Sequence, residues 1–172
     1  MERAVLEIQR QIEFTRDYQM MGTSEPAWQN LSEIILKLPA AKEIKNLRLA
    51  DCLNEISIYA DPMVGKVFHN LITNSIKHGA GVSEASISCL EKRDVLLIIY
   101  EDNGKGIEAD HKDLIFEKGF GKNSGLGLFL SREILSITGI TIKENGIPGK
   151  GVRFEMTVPR GTFRRISNNK VE

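Results

Sequence analysis

The chain has 172 residues, 41% of them hydrophobic and 27% charged, which is the composition of one globular domain with room for a short appendage. Lysine plus arginine and aspartate plus glutamate both number 23, so no overall field attracts nucleic acid or an anionic membrane. No apolar run reaches the roughly 20 residues that span a bilayer, and the polar first residues form no signal peptide. We therefore expect a soluble, cytoplasmic chain, which leaves open whether a longer parent is anchored in a membrane.

The two cysteines are Cys52 and Cys89, which are far apart in the sequence. Neither has a histidine or a second cysteine at metal-ligand spacing. Two isolated cysteines fit a protein of a reducing compartment, and we expect no functional role for either thiol.

A first helix is predicted from Glu2 to Met21, where glycine and proline are absent. A heptad-like stripe recurs there in steps of three and four and consists of Val5, Ile8, Ile12, Thr15 and Gln19. Gly22 ends the helix, so residues 1–22 form an appendage, either one arm of a dimerising bundle or a helix packed on its own domain. So short a stripe favours the second interpretation, and a homodimer through this helix stays open.

Residues 23–43 are predicted to be a linker that carries an amphipathic helix from Trp28 to Leu38. Pro39 closes this helix, because proline cannot continue it. The pattern then changes to short strands near Lys45 to Asp51 and Ile56 to Tyr59.

The next predicted helix begins at Asp61, a suitable N-cap, with Pro62 in the first helical position. Its buried positions are predicted to be Val64, Val67, Phe68, Leu71, Ile72 and Ile76. Its adjoining polar arc holds Asn70, Asn74, Lys77 and His78. A polar arc beside an apolar face predicts a groove.

Beyond this helix, strands from Ala85 to Glu91 and from Val95 to Glu101 predict a hairpin that leads into the turn DNGKGI at 102–107. The remaining predicted elements are a short helix near Ala109 to Asp113, a helix from about Leu126 to Ser136, and strands near Ile140 to Glu144 and Val152 to Val158. Hairpins rather than strict alternation favour an α+β layer over a doubly wound parallel sheet. The domain is predicted to span residues 44–160, and residues 161–172 to form a flexible tail.

Five stretches resemble, in order and in spacing, the motifs of sensor histidine kinase catalytic domains. They are FHNLITNSIKHG (68–79), DNGKGI (102–107), LIFEKGF (114–120), GLGLFL (125–130) and GKGVRFEMTVP (149–159). Such domains belong to the wider ATPase superfamily of gyrase, the ninety-kilodalton heat shock chaperone and the MutL repair proteins. The resemblance implies the Bergerat ATP-binding fold, a two-layer α/β sandwich with a mixed sheet on one face and helices on the other. It also implies ATP and Mg²⁺ as ligands.

Asp102 is the candidate that selects adenine, since an ionised carboxylate only accepts hydrogen bonds and adenine presents an amine donor. Gly104 and Gly106 are expected to let the backbone turn and approach the flat base, and Ile107 completes this group. Taken alone, Asp102 would be an ordinary aspartate at a strand end, and the two glycines would only shape a turn.

Asn74 is the candidate magnesium ligand, an assignment that the resemblance implies. Asn70, Lys77 and His78 lie within one helical turn of it and are expected to contact the nucleotide, with Asn70 and Lys77 assigned to catalysis. The alternative is a solvated polar helix face, which two poor helix formers four residues apart argue against.

The helix from about Leu126 offers unpaired amides and a positive dipole end to a triphosphate. The residues expected there are Ser124, Gly125, Leu126, Gly127 and Leu128. Lys122 lies in the short connection that resembles the ATP lid of the family, where it adds a cation near the terminal phosphate. Phe116 is also assigned to the nucleotide site, although an aromatic residue at such a position commonly packs the base of the lid.

Position 70 separates the functions within the superfamily. The resemblance implies that the hydrolysing and serine-kinase branches carry a glutamate there as general base, and that histidine kinases carry an asparagine. An amide cannot accept a proton at neutral pH, so Asn70 predicts phosphotransfer to a histidine, which is nucleophilic when neutral. The alternatives are a catalytically silent nucleotide-binding module and a hydrolysing or serine-kinase member of the superfamily.

The three histidines are His69, His78 and His111, and none lies in the first helix. Residues 1–22 resemble the second helix of the dimerisation and phosphotransfer hairpin of the family, without its acceptor. The resemblance therefore implies a phosphoacceptor histidine domain as a separate partner and a response regulator as the next one.

Overall fold

The structure is a computed structural model that describes residues 2–121 and 125–166. Its helices are α1 (Glu2–Met20), α2 (Leu31–Leu36), α3 (Val64–His78) and α4 (Gly127–Ser136). Its strands are β1 (Ala27–Asn30), β2 (Asn46–Leu49), β3 (Ile56–Ala60), β4 (Glu84–Lys92), β5 (Val95–Asp102), β6 (Thr141–Glu144), β7 (Arg153–Pro159) and β8 (Phe163–Arg165). Short 3₁₀ turns lie at Pro39–Lys42, Asp51–Glu55, Ala109–His111 and Leu114–Phe116.

A five-stranded mixed sheet forms the base of the domain, in the order β2-β4-β5-β7-β6. Its strands pair antiparallel except for β2 and β4, which are parallel. Alternate residues of the strands point inward and form one core with the apolar faces of α3 and α4, as a period of two requires. The predicted α+β class with a mixed sheet and covering helices is confirmed.

The helix α3 begins two residues later than predicted. Its first residue is Val64, and no side chain caps it. The Asp61 carboxylate instead accepts hydrogen bonds from the backbone N–H of Met63 (2.8 Å) and of Gly22 (3.0 Å). Asp61 therefore fixes the turn before the helix and the end of α1. The expected burial of Ile76 is also wrong, since its side chain is 37% exposed.

The region predicted as one helix from Trp28 to Leu38 begins as a strand. In β1, Trp28 lies opposite Tyr59 of β3, with ring centroids 5.4 Å apart. The helix α2 starts only after Asn30, whose side chain accepts from the backbone N–H of Glu33 at 3.0 Å. A cross-strand aromatic pair thus overrides the helical pattern at the start of this segment.

The expected flexible tail begins with a strand instead. Residues Phe163–Arg165 form β8, which pairs antiparallel with β3 and completes a three-stranded sheet of order β1-β3-β8. A three-residue strand is too short to show a period of two, so the pattern gave no sign of it. Residues 167–172 of the expected tail lie outside the described part of the chain.

The helix α1 packs on its own domain near its C-terminal end. Phe14 is buried, with its ring 6.3 Å from that of Phe129 in α4, and the buried Asp17 lies 2.8 Å from the Lys66 ammonium of α3. Most of the predicted heptad stripe faces away, as the exposed side chains of Val5 and Ile12 show. A homodimer through this stripe stays a prediction.

The two cysteines form a disulfide, which the sequence did not predict. Cys52 lies in the 3₁₀ turn before β3 and Cys89 lies in β4, with their Cα atoms 6.3 Å apart. The earlier expectation of two unpaired thiols is wrong because the fold brings together residues that are 37 positions apart. Within residues 2–121 and 125–166, no helix combines the length and apolar character that a membrane crossing requires.

Candidate nucleotide-binding site

A cavity of about 530 Å³ opens between α3, the end of β5 and the start of α4. We call its two sides the rear wall, formed by α3, β5 and β7 with the residues next to them, and the front wall, formed by residues 105–121. Predicted site residues that line the cavity are Asn74, His78, Asp102, Gly106, Ile107, Gly125, Leu126, Gly127 and Leu128. The motifs thus bring nine of the assigned residues into one concave site.

A chain of buried hydrogen bonds holds the rear wall. The Ser75 hydroxyl lies 2.7 Å from the Tyr100 hydroxyl and donates to Asp102 Oδ2 at 2.5 Å. Burial raises the pKa of Tyr100 well above its ordinary value, so its hydroxyl stays protonated and donates to Ser75. All three side chains are less than 9% exposed. The chain therefore fixes the orientation of the Asp102 carboxylate before any ligand binds.

The remaining contacts of Asp102 leave it able to accept one more hydrogen bond. Its Oδ1 accepts from the backbone N–H of Gly104 (2.9 Å) and of Val152 (3.1 Å). Its Oδ2 accepts only the Ser75 bond among the described residues, and a carboxylate oxygen has two lone pairs. The free position suits an N–H donor on the edge of a flat heterocycle.

Gly104 and Gly106 are required by close contacts inside the protein. A Cβ atom at Gly104 would lie 2.7 Å from the Gly79 carbonyl oxygen, and one at Gly106 would lie 2.8 Å from the Gly151 carbonyl oxygen. Gly106 also has a φ of +73°, which disfavours other residues. The two glycines thus seat the 102–107 turn against the end of α3 and the β6–β7 loop. Gly106 lines the cavity and Gly104 lies outside its lining.

The polar face of α3 divides between two tasks. Asn74 and His78 line the cavity, whereas Asn70 and Lys77 do not. Asn70 is 8% exposed, and its side-chain amide donates to the Gly127 carbonyl oxygen (2.9 Å) and to the Ser131 hydroxyl (3.1 Å). This residue joins α3 to the first turn of α4 and so positions the GLGLFL stretch (125–130).

Two histidines and a lysine, His78, His111 and Lys105, line the cavity. Lys77 is close enough to act on His78. Partial burial, with Lys77 and Lys105 as further causes, lowers the pKa of His78 below its ordinary value. His78 is therefore neutral at pH 7, and Lys105 brings a positive charge that the sequence analysis did not assign.

The first turn of α4 presents backbone donors to the cavity. Gly125, Leu126, Gly127 and Leu128 line it, and α4 begins at Gly127. The N–H groups of a first helical turn have no partner within their helix, and the helix dipole makes this end attractive to anions. Lys122 and Ser124, which were also assigned to this part of the site, lie outside the described residues.

The front wall supplies residues that sequence reasoning missed. They are Glu108, His111, Ile115, Phe120 and Gly121, and the rear wall adds Ser75, Gly79, Gly149, Val152 and Phe154. The rings of His111 and Phe120 meet edge to face, with centroids 5.4 Å apart. Phe116 instead packs on Phe154 at 6.2 Å and lies outside the cavity lining. A period-two pattern in β7 marked Phe154 as buried, and nothing in the sequence marked His111.

The donor set fits magnesium held mainly by a bound polyphosphate. Mg²⁺ takes one or two protein oxygens and completes its octahedron with phosphate oxygens and water. Asn74 is half-buried and offers one amide oxygen to the cavity. No group of three or more acidic, histidine or cysteine side chains that could together hold a metal ion occurs in residues 2–121 and 125–166. A single asparagine ligand therefore suits an ion that arrives with its nucleotide.

Residues 61–162 match the model of the family described as histidine kinase-, DNA gyrase B-, and HSP90-like ATPase. The chain belongs to this family. The resemblance on which the sequence analysis relied is confirmed, and so is ATP as the ligand class of the fold.

Sensor proteins are among the relatives of this family member. ChvG of Rhizobium meliloti (strain 1021) is 35% identical over 113 residues, which cover 57% of this chain and 20% of ChvG. The alginate biosynthesis sensor protein KinB of Pseudomonas aeruginosa is 34% identical over 104 residues, which cover 56% of this chain and 17% of KinB. The chain thus spans about a fifth of the length of these relatives.

Solved structures share the fold of this family member. The catalytic domain of histidine kinase ThkA superposes with a TM-score of 0.67 at 24% identity, covering 80% of this chain and 99% of that domain. Full-length ShkA in complex with AMPPNP superposes with a TM-score of 0.68 at 20% identity, covering 89% of this chain and 36% of ShkA. These likenesses confirm the predicted two-layer architecture.

Proposed function

We propose that this chain is the catalytic domain of a two-component sensor histidine kinase, which binds Mg-ATP and transfers the γ-phosphate to a histidine on a phosphoacceptor domain. The observation that carries the proposal is the Asp102 carboxylate, oriented by Ser75, Gly104 and Val152 at the base of the cavity. A response regulator would receive the phosphate next. The names of ChvG and ThkA support a sensor kinase over other members of the family.

Adenine would bind against the rear wall. Its exocyclic amine would donate to the remaining lone pair of Asp102 Oδ2, which only accepts hydrogen bonds when the carboxylate is ionised. Val152 and Ile107 border the same cavity with apolar atoms that suit a flat base. An oriented acceptor beside apolar surface distinguishes a base with an amine from one with a carbonyl at that position.

The triphosphate would reach from Asp102 toward the first turn of α4. The backbone amides near Leu126 and the cation of Lys105 would neutralise its charge, with Lys122 and Ser124 as further candidates. Asn74 would hold the magnesium ion, which when bound neutralises phosphate charge. Catalysis would consist mainly of positioning and of charge neutralisation.

Asn70 favours phosphotransfer over hydrolysis. Its amide donates two hydrogen bonds to α4 and has no basic site with which to activate water. A neutral imidazole acceptor needs no such base. Lys77 is exposed on α3, where it acts on the pKa of His78, and we keep it as a candidate for catalysis in the assembled kinase.

Calorimetry of Mg-ATP binding tests the nucleotide site. Asp102→Asn is expected to weaken the affinity about 10- to 100-fold, the worth of one hydrogen bond to a charged group. Asp110→Asn removes the same charge from an exposed residue outside the cavity lining and should leave the affinity unchanged. Equal affinities of the parent and Asp102→Asn would contradict this site.

Addition of a phosphotransfer helical hairpin from a cognate kinase tests the reaction. The expected product is acid-labile, base-stable phosphate on the hairpin, formed from Mg-ATP and lost in Asn74→Ala. Nucleotide binding without transfer to any hairpin would favour a silent nucleotide-binding module. Steady-state phosphate release that Asn74→Ala abolishes would favour a hydrolase instead.

A further inference from the structure

Glu144 is a buried carboxylate in an inward position of β6. Its side chain has 0% exposure, and the neighbouring inward residue of the strand is the apolar Ile142. Glu144 Oε1 accepts from the backbone N–H of Gly146 (2.9 Å) and of Arg153 (3.0 Å). Its Oε2 lies 2.7 Å from the ammonium of Lys112. The carboxylate is thus held by two backbone donors and by one cation, which comes from the front wall of the cavity.

Lys112 ties the front wall to the loop between β6 and β7. Its side chain is 20% exposed, and its ammonium donates to the Gly146 carbonyl oxygen and forms an ion pair with Glu144. The preceding residue, His111, lines the cavity. Lys112 therefore holds the backbone of the front wall directly behind a residue that faces the nucleotide.

A second contact ties the other end of the same segment to the same loop. The Lys105 carbonyl oxygen accepts from the backbone N–H of Gly149 at 2.7 Å. Between these two contacts the chain contributes Gly106, Ile107, Glu108 and His111 to the cavity. The segment from 105 to 112 thus spans the cavity edge with one anchor at each end.

An ion pair at this place needs an explanation other than stability. Burying a carboxylate and an ammonium costs desolvation that their attraction barely recovers, and an apolar pair of similar volume commonly serves the core as well. An apolar residue at 144 would extend the inward row of β6 but would have no directional bond to offer. The ion pair links the front wall to the sheet, and the hydrogen bonds of its two partners to the β6–β7 loop orient both side chains.

We infer that Lys112 and Glu144 are positioning residues of the nucleotide site, which hold the segment 105–112 in the conformation that binds ATP. The inference rests on the proposed nucleotide binding. Neither residue lines the cavity, so both act through the residues between the anchors. Loss of Lys112 would leave the buried charge of Glu144 unpaired and would free the segment at one end. Loss of Glu144 would leave Lys112 without its counterion and with the Gly146 carbonyl oxygen as its remaining contact.

The test uses Lys112→Met, Glu144→Gln and the double variant, with melting temperature and Mg-ATP affinity measured on each. Both single variants should melt lower and bind ATP about tenfold more weakly, because a misplaced wall loses contacts with the ligand. The double variant has no unpaired charge and keeps an acceptor for Gly146 and Arg153. It should regain most of the melting temperature and none of the affinity. Arg160→Met with Asp94→Asn removes an exposed ion pair remote from the cavity and is the matched control.

Amide hydrogen exchange keeps the inference separate from the proposed function. Without nucleotide, peptides covering 105–112 should exchange faster in the double variant than in the parent, while α3 stays unchanged. A parent that binds no ATP would overturn the proposed function, whereas the exchange difference would still show the anchor. A double variant with parental affinity, or with parental exchange in 105–112, would overturn the inference.

Discussion

The two walls of the nucleotide cavity are built differently. The rear wall is a helix on a sheet, and its central carboxylate is oriented by a buried chain through Ser75 and Tyr100. The front wall from 105 to 121 has only two short 3₁₀ turns, and its segment 105–112 is tied to the β6–β7 loop by a backbone bond at Lys105 and to the sheet by the ion pair of Lys112. The rear wall, where we propose that the base binds, is thus preformed by buried contacts, and the front wall depends on fewer buried contacts.

This difference shows where each kind of residue change should act. Changes in the rear wall should alter global stability, because its residues share the core with the sheet. Changes in the exposed side chains of the front wall should alter affinity more than stability, since few of its side chains are buried.

Reduction of the Cys52–Cys89 disulfide should lower the free energy of unfolding by about 4 kcal/mol, because the bridge closes a long loop in the unfolded chain. That loop contains α3, the helix of the rear wall. Urea unfolding with and without a reductant measures it. A variant with serine at both positions should have the same free energy of unfolding as the reduced protein, and the reductant should not change it. Two freely alkylated thiols in the untreated protein would show that the bridge does not form.

Gly106→Ala should lower the free energy of unfolding by about 3 kcal/mol, through a left-handed backbone and an overlap with the Gly151 carbonyl oxygen. Gly119→Ala is the matched control in the same wall. Gly119 has a φ of +82°, and a Cβ atom there would meet nothing within 4 Å, so only about 1 kcal/mol is expected. Equal melting temperatures of the two variants would mean that the start of the front wall is not seated on the β6–β7 loop.

Protonation of His78 should strengthen nucleotide binding about two- to fivefold relative to His78→Gln as the pH falls below about 6.5, since an exposed charge pair is worth under about 1 kcal/mol. The lowered pKa keeps His78 neutral at pH 7, and a bound polyphosphate favours the charged form. The same lowered pKa means that the unfolded chain binds this proton first, so stability falls as the pH drops through the same range.

Calorimetry at several pH values measures the nucleotide affinity of the parent and of His78→Gln. Taking the ratio of the two affinities at each pH removes the titration of ATP itself from the comparison. His69→Gln is the control. Burial, with Lys66 and Lys77, also lowers the pKa of His69, but this histidine does not line the cavity. A pH profile that His69→Gln changes and His78→Gln does not would contradict the assignment.

The sequence predicted the parts of the site that contiguous motifs carry. Asn74 and His78 lie one helical turn apart, Asp102 ends a strand, and Gly125 to Leu128 open a helix, so local spacing sufficed to bring each to the cavity. The site roles assigned to them stay predictions. The fold class followed from the same local patterns, because alternation and helical periodicity survive within each element.

The missed features join residues that no local period connects. Ser75 and Tyr100 are 25 residues apart, and Lys112 and Gly146 are 34 apart. A carboxylate in β6 and a lysine in a loop have the composition of solvent-facing residues, so composition alone argued against the burial of Glu144. The strand at Trp28 was missed because its partner, Tyr59, comes from a different part of the chain.

The strand β8 has a consequence for where the domain ends. The family match stops at residue 162, yet β8 covers one edge of β3 from 163 to 165. A protein cut at the family boundary would expose a row of unpaired backbone groups beside Ile56 and Ile58, which invites strand addition from a neighbouring molecule. Residues 163–165, which follow the family match, thus cover an edge strand, and a protein that keeps them should aggregate less at high concentration.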